Sequence, residues 1–134
     1  MTTETQDGGS LAGRKLTQVA LTVTDLERAV GFYRDVLGLT LLFQVPPGMA
    51  FFDLGGTRLL LGNQVPEGWK PGGAVLYLDA PDLPTLAQAL EARGLLFAGP
   101  ALVLQPQAAH DLMLREFRDP DGNALALLGL VPRA

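Results

Sequence analysis

One pattern of strand and helix occurs twice in the chain, and this repeat limits the possible folds more than any other feature. Residues 24–40 read TDLERAVGFYRDVLGLT, and much of what they specify returns near Asp82, 57 residues after Asp25. A strand-like run precedes each predicted helix, and short extended runs follow it. A chain that repeats itself once is expected to build one site from two halves.

The first predicted helix begins at Thr24 and ends at Gly38. Thr24 and Glu27 have the spacing of a capping box, in which each side chain bonds a free backbone amide at the helix start. Gly38 supplies the left-handed residue that ends the helix. The apolar side chains that recur on one face are Leu26, Ala29, Val30, Tyr33, Val36 and Leu37.

The second predicted helix begins at Asp82 and ends at Gly94. Asp82 is the expected N-cap, and Pro84 falls in the first turn, where its missing N–H costs little. The apolar stripe of this helix consists of Leu83, Leu86 and Leu90. Each helix therefore has one face that should pack against a sheet.

The predicted unit is a strand, a helix and then three strands, so the expected fold class is α+β with two tandem βαβββ modules. Glycine and proline turn signals separate the strands. The predicted strands are 16–23, 39–45, 49–54 and 58–61 in the first module, and 74–79, 95–104, 111–118 and 123–128 in the second, where Gly99 and Pro100 interrupt the run 95–104. Polar, glycine-rich residues 1–13 are expected to form a mobile tail, and residues 62–73 to link the modules.

Composition is typical of one compact domain and excludes several kinds of chemistry. The 134 residues contain 48% hydrophobic residues and no cysteine, which excludes disulfides, thiolate nucleophiles and thiolate metal sites. A net charge of −4 argues against a nucleic-acid partner. No apolar run approaches a membrane span, and the first ten residues lack the features of a secretory signal, so a cytoplasmic protein without a membrane partner is expected.

Two strings resemble the signature regions of the vicinal oxygen chelate superfamily. They are FYRDVLGL at residues 32–39 and FRDPDGN at residues 117–123, ahead of a final strand. This superfamily includes glyoxalase I, extradiol dioxygenases, fosfomycin-resistance enzymes and bleomycin-binding proteins. The resemblance implies one domain over about residues 14–130, with modules at about 14–63 and 74–130 whose sheets form a curled mixed sheet around a central cavity, often within a homodimer.

Both strings are interpreted as structural. Tyr33, Leu37 and Leu39 are expected to pack a helix on a sheet. Residues 119–122 read DPDG, which is typical of a tight turn because proline presets φ and glycine accepts a positive φ. Catalytic or binding residues must then lie on the strand faces.

Metal-dependent relatives carry four His, Gln or Glu ligands on the first and last strands of the two modules. By resemblance, these positions fall on Gln18, on or beside Leu60, on or beside Val75, and on Ala126. Only Gln18 has an atom that can bind a cation, and one neutral amide does not replace three missing ligands. The sequence therefore predicts no cofactor and no metal at the usual site.

Strand alternation predicts which side chains face the cavity. Val19 and Leu21, with Leu76 and Leu78, should pack under the helices, whereas Gln18 and Tyr77 should face the cavity. The other side chains expected to face the cavity are Ala20, Thr22, Val75, Asp79, Ala124, Ala126 and Leu128. Such a mostly apolar wall suits a small organic ligand.

The penultimate strand supplies the remaining candidates. By resemblance to the fosfomycin-resistance enzymes, Glu116 faces the cavity, and alternation then places Leu114, Leu112 and His110 on the same side. Gln18, His110 and Glu116 are open to three interpretations: solvated side chains, ligand contacts with His110 and Glu116 as an acid/base pair, or ligands of a displaced divalent metal. The predicted ligand-binding residues are Gln18, Tyr77, His110, Leu114 and Glu116.

Three further side chains are each open to more than one interpretation. Arg58 and Arg115 are candidates for binding an anionic substrate or solvated residues at a strand edge. Trp69, in the linking segment, either covers the cavity, lies in a dimer contact or patches the core.

Two function classes follow from these observations. The first is a glyoxalase-like or bleomycin-resistance-like protein that binds a small organic molecule between its modules without the usual metal. The alternative is a lyase, isomerase or dioxygenase of the same superfamily that uses a displaced divalent metal, or His110 as an acid/base. Both classes lead us to expect a small organic partner and a homodimer.

Overall fold

Two βαβββ modules follow one another in the computed structural model, which describes residues 9–133. The first eight residues of the expected tail lie outside the described residues, and residues 9–17 form neither helix nor strand. The first module contains β1 (Gln18–Thr22), α1 (Leu26–Gly31) continued by a π-helical turn (Phe32–Val36), β2 (Thr40–Val45), β3 (Met49–Leu54) and β4 (Thr57–Gly62). The second contains β5 (Val75–Asp79), α2 (Leu83–Ala92), β6 (Leu102–Pro106), β7 (His110–Arg118) and β8 (Ala124–Pro132).

Each module forms its own four-stranded mixed sheet. The first sheet has the order β1-β4-β3-β2 and the second has the order β5-β8-β7-β6. In each sheet the first strand pairs in parallel with the last, and the remaining neighbours are antiparallel. The α+β class and the tandem βαβββ arrangement predicted from the sequence are therefore confirmed.

One face of each sheet carries the core, and we call it the helix face. Phe52, Leu59 and Leu61 of the first sheet are buried against Ala29, Val30 and Tyr33. Phe117, Leu125 and Leu127 of the second sheet are buried in the same cluster as Leu83 and Leu90 of α2. The opposite face of each sheet, which we call the open face, is turned away from the helices.

The start of α1 differs from the predicted capping box. The N-cap is Asp25, whose Oδ1 accepts a hydrogen bond from the Arg28 amide at 3.0 Å. Thr24 does not cap the helix, because its amide and hydroxyl both donate to Asp121 of the second module, at 3.0 and 2.6 Å. The end of the helix is as predicted, with Gly38 at a φ of 80°.

The second helix agrees with the sequence prediction except for one hydrogen bond. Asp82 occupies the N-cap position, but its side chain makes no capping hydrogen bond. Pro84 lies in the first turn, Leu83 and Leu90 are buried, and Gly94 follows the helix with a φ of 103°. The predicted apolar stripe is thus the face that enters the core.

Two predicted strands of the second module are wrong in extent. Residues 95–101 form a loop with a single bridge from Phe97 to Phe117, and β6 runs over Leu102–Pro106 instead of 95–104. The predicted interruption at Gly99 and Pro100 is confirmed, since both residues lie in this loop. β8 continues to Pro132, beyond the predicted end at 128, because it pairs with the whole of β7.

A buried hydrogen-bonded group, which we call the inter-module cluster, joins the two modules through Tyr33, Asp119, Asp121 and Asn123. The Asp119 carboxylate is 4% exposed and accepts four hydrogen bonds, from the Tyr33 hydroxyl at 2.8 Å, the Asp121 and Asn123 amides, and Asn123 Nδ2. Asn123 Nδ2 also donates to the Thr22 carbonyl at 3.0 Å. The two signature strings therefore meet in space, one supplying Tyr33 and the other the carboxylate.

Charge and burial keep Tyr33 protonated in this cluster. Burial, followed by the nearby charge of Asp119 and the hydrogen bond to it, raises the pKa of Tyr33 well above its usual value. The hydroxyl consequently remains a donor to Asp119. A donor lost at this position would leave one oxygen of a buried carboxylate with fewer hydrogen bonds.

We predict that Tyr33→Phe destabilises the fold and changes its response to alkaline pH. Near neutral pH the lost hydrogen bond should lower the free energy of unfolding by about 1–3 kcal/mol. The pKa of the tyrosine hydroxyl is about 10 in the unfolded chain and is higher in the folded protein. The free energy of unfolding that Tyr33 contributes is therefore complete below pH ~10. It falls as the pH rises above that value, by at most ~1.4 kcal/mol per pH unit. Tyr33→Phe should lack this alkaline loss.

Urea unfolding at several pH values between neutral and strongly alkaline measures both effects. Tyr77→Phe is the matched control, since Tyr77 is 54% exposed on β5. Equal alkaline slopes in the two variants would show that the Tyr33 hydroxyl is not protected by the cluster.

A second prediction concerns the close approach of β8 to the start of α2. A Cβ atom at Gly129 would lie 2.2 Å from the Ala80 carbonyl oxygen, whereas one at Gly62 of β4 would meet nothing within 4 Å. Gly129→Ala should therefore cost about 1–3 kcal/mol through forced backbone movement, and Gly62→Ala should cost clearly less. Thermal unfolding of both variants provides the comparison, and an equal loss in the two would contradict the close packing at Gly129.

Candidate functional site

A cavity of about 590 Å³ lies between the two modules. The first module contributes the lining residues Leu16, Val19, Leu37, Leu39, Leu54, Gly55 and Thr57. The second contributes Val75, Leu76, Tyr77, Leu78, Asp79, Leu86, Leu90, Phe117 and Leu127. This volume lies within the range of sites that hold small organic ligands, about 300–1,000 Å³.

The wall of the cavity is mainly aliphatic, with a few polar groups. Thr57, Tyr77 and Asp79 are the lining residues with polar side-chain atoms. Leu16 is 71% exposed and Tyr77 is 54% exposed, so these side chains lie where the cavity opens to solvent. An apolar interior with polar groups near its opening favours a ligand with a ring or hydrocarbon body.

The position of this cavity was missed by the reasoning from sequence. Val19, Leu76 and Leu78 lie on the helix faces, as alternation predicted, and they pack against the core. Each of them is only partly covered, and the uncovered part of the side chain lines the cavity. A leucine in a filled core and a leucine beside a void have the same sequence pattern, because the void depends on how the modules meet. Tyr77 is the one predicted ligand-binding residue that lines this cavity.

The other predicted site residues do not line the cavity and lie on the open faces of the sheets, which Tyr77 shares. Gln18 and Ala20 of β1 are exposed, while Val19 and Leu21 between them are partly buried, which matches the predicted alternation. In the second sheet, strand register places Tyr77 beside Ala126 and Ala126 beside Glu116. Tyr77 and Glu116 thus flank the buried Ala126 on one face.

His110 and Glu116 are not brought together. Both belong to β7, six positions apart, and six residues of extended strand span about 20 Å. Leu114, 8% exposed, lies between them, paired with Leu128. His110 is exposed at the start of β7, opposite Pro132. One ion cannot contact both side chains in this arrangement, and the displaced metal stays one of the three interpretations of the sequence.

The residues at the usual metal positions do not fit a metal ion. Register pairs Gln18 with Arg58, a cation, and pairs Ala20 with Leu60. Val75 pairs with Ala124, neither of which has a ligand atom in its side chain. Among residues 9–133, no group of three or more His, Asp or Glu side chains is arranged to hold a metal. Imidazole, carboxylate or carbonyl donors are what such a cation requires.

Other sequence candidates have structural contacts. Arg115 Nε donates to the Gly99 carbonyl at 2.9 Å, and its guanidinium lies over Phe97, 4.2 Å from the ring centroid. Trp69 lies in the linking loop, where its amide donates to Pro66. Arg115 therefore holds the loop before β6, and Trp69 is not part of the cavity wall.

Comparison with known proteins identifies the family. A family model described as the Glyoxalase/Bleomycin resistance protein/Dioxygenase superfamily matches residues 15–127. No curated protein sequence matches the chain. No helix within residues 9–133 is long and apolar enough to cross a membrane.

Solved structures share the fold. A superfamily member from Sphaerobacter thermophilus is 26% identical with a TM-score of 0.71, and the match covers 86% of this chain and 96% of that one. A lactoylglutathione lyase from Agrobacterium tumefaciens is 23% identical with a TM-score of 0.69, covering 88% and 95%. A glyoxalase/bleomycin resistance protein/dioxygenase from Nocardioides is 26% identical with a TM-score of 0.67, covering 92% and 87%.

These matches agree with the two βαβββ modules and with the two signature strings that meet in the inter-module cluster. The chain belongs to the glyoxalase/bleomycin resistance protein/dioxygenase superfamily.

Proposed function

We propose that the chain binds a small apolar or aromatic organic molecule in the cavity between its modules, without a metal ion. The observation that carries this proposal is the cavity of about 590 Å³ with leucine side chains on both walls. Transfer of apolar ligand surface from water to such a wall is favourable, at about 25 cal/mol per Å².

The charge of the cavity wall limits the class of ligand that the cavity can bind. Asp79 is the one ionisable carboxylate among the lining residues, and no lysine, arginine or histidine lines the cavity. A ligand with a negative charge would meet this carboxylate without a compensating cation. A neutral molecule with a hydrogen-bond donor suits the site best, since Asp79, Tyr77 and Thr57 can accept from it.

A metal-free site agrees with the residues present at the usual ligand positions, where Leu60, Val75 and Ala126 have no side-chain atom that can bind a cation. The alternative enzyme that uses His110 as an acid/base has less support, because His110 is exposed on the open face and does not line the cavity. General acid/base catalysis requires the group within hydrogen-bonding reach of the substrate.

Filling the cavity should weaken the binding of a neutral probe. N-phenyl-1-naphthylamine is apolar and fluoresces strongly only out of water, so its fluorescence should rise saturably with wild-type protein. Val19→Phe adds a ring to the cavity wall. The new ring either excludes the probe or has to move aside at a cost of about 1–3 kcal/mol. We therefore expect Val19→Phe to weaken the affinity for the probe roughly tenfold or more.

The matched control is Val103→Phe, the same substitution on an exposed strand position outside the cavity. Both variants are first compared with wild type by thermal unfolding, and Leu54→Phe provides a second filling variant if Val19→Phe unfolds. Equal probe affinity in the filling variant and in Val103→Phe would contradict a site in this cavity.

A further inference from the structure

The open face of the first sheet carries an aromatic pair beside an arginine, at a distance from the cavity wall. Register places Phe43 beside Phe51, and Phe51 beside Leu60. Arg58 lies on the same face, two positions before Leu60 on β4, and pairs with Gln18 of β1. Val19, which lines the cavity, points to the opposite face of this sheet.

The arginine and the two rings form a single surface. The rings of Phe43 and Phe51 are stacked, with centroids 4.6 Å apart and planes at 22°. The Arg58 guanidinium carbon lies 5.7 Å from the Phe43 centroid and 5.4 Å from the Phe51 centroid. Both distances are within the range of a cation–π contact, about 6 Å. The rings thus hold the guanidinium in place without using its N–H donors.

Arg58 differs from the other arginines in the contacts that its guanidinium makes with the described residues. Within residues 9–133 its guanidinium makes no hydrogen bond and no ion pair with a protein group, although Asp53 lies directly opposite it on β3. The Asp53 carboxylate instead accepts from the Gly56 amide in the turn at 3.4 Å. The other arginines all donate to protein acceptors: Arg14, Arg28, Arg34, Arg93, Arg115, Arg118 and Arg133.

Two apolar side chains lie next to the Arg58 guanidinium. Ala20 and Leu60 are paired across β1 and β4, two residues along the strands from Gln18 and Arg58. Side chains two positions apart on one face are separated by about 7 Å, which is the length of a benzoate-sized ion. Gln18 is exposed beside Arg58 and offers an additional amide donor.

We propose that this surface binds a planar aromatic carboxylate. The carboxylate accepts two hydrogen bonds from Arg58, since the guanidinium fork matches carboxylate geometry. The ring of the ligand lies along Ala20 and Leu60, at the edge of Phe51. The site is separate from the cavity, and it differs in charge preference because a guanidinium binds the charged end of the ligand. The nearby Asp53 carboxylate is directed to the turn at Gly56.

Calorimetric titration with 2-naphthoate tests the proposal. The variants are Arg58→Gln, Arg58→Lys, and Lys70→Gln as a control that removes one positive charge from an exposed position in the linker. Wild type and Lys70→Gln should bind equally, Arg58→Gln roughly tenfold or more weakly, and Arg58→Lys at an intermediate level because it keeps the charge without the fork. Neutral 2-naphthamide should bind wild type more weakly than 2-naphthoate does.

Two results would overturn the proposal. One is an affinity of Arg58→Gln for 2-naphthoate equal to that of Lys70→Gln. The other is a change in self-association of Arg58→Gln, measured by sedimentation velocity, with an unchanged affinity for 2-naphthoate, which would identify a second copy of the chain as the occupant. Arg58→Gln should bind N-phenyl-1-naphthylamine with the wild-type affinity, because Arg58 does not line the cavity, so failure at the cavity and failure at Arg58 are distinguishable.

Discussion

The structure depends on one buried carboxylate, that of Asp119, which accepts hydrogen bonds from both modules. Tyr33 reaches it from the first module, and Asn123 links it to the Thr22 carbonyl at the end of β1. A buried carboxylate is costly unless its oxygens are hydrogen-bonded, so the partners must be held in place. This requirement fixes the approach of the two modules, and the cavity is the space that remains between β1 and β5.

The repeat supplies two similar modules, but the two modules do not supply equivalent surfaces. The first helix changes to a π-helical turn at Phe32–Val36, and Tyr33 lies within that turn, whereas α2 stays regular. Short π-helical segments are frequent at functionally important positions. The open face of the first sheet has a cation on an aromatic pair, and the cavity has a carboxylate beside leucines. One duplicated fold thus presents two surfaces of different chemistry.

Most of the fold could be predicted from local sequence, because its signals are local. Gly38 and Gly94 end the two helices with positive φ, and alternation on β1 and β5 assigned each side chain to the correct face. The errors involve distant partners. Thr24 was predicted to cap its own helix, yet it bonds Asp121, 97 residues away. The cavity was equally unpredictable, since its walls come from elements of both modules. His110 and Glu116 share a face, as predicted, but an extended strand separates them.

We propose that the inter-module cluster holds the modules around an apolar cavity that takes a neutral ligand. A crystal structure of the protein grown with N-phenyl-1-naphthylamine tests it most directly. We expect density for the probe between β1 and β5, in contact with Val19, Leu76 and Leu78. Probe density confined to the open face of either sheet, with side chains filling the space between the modules, would contradict it.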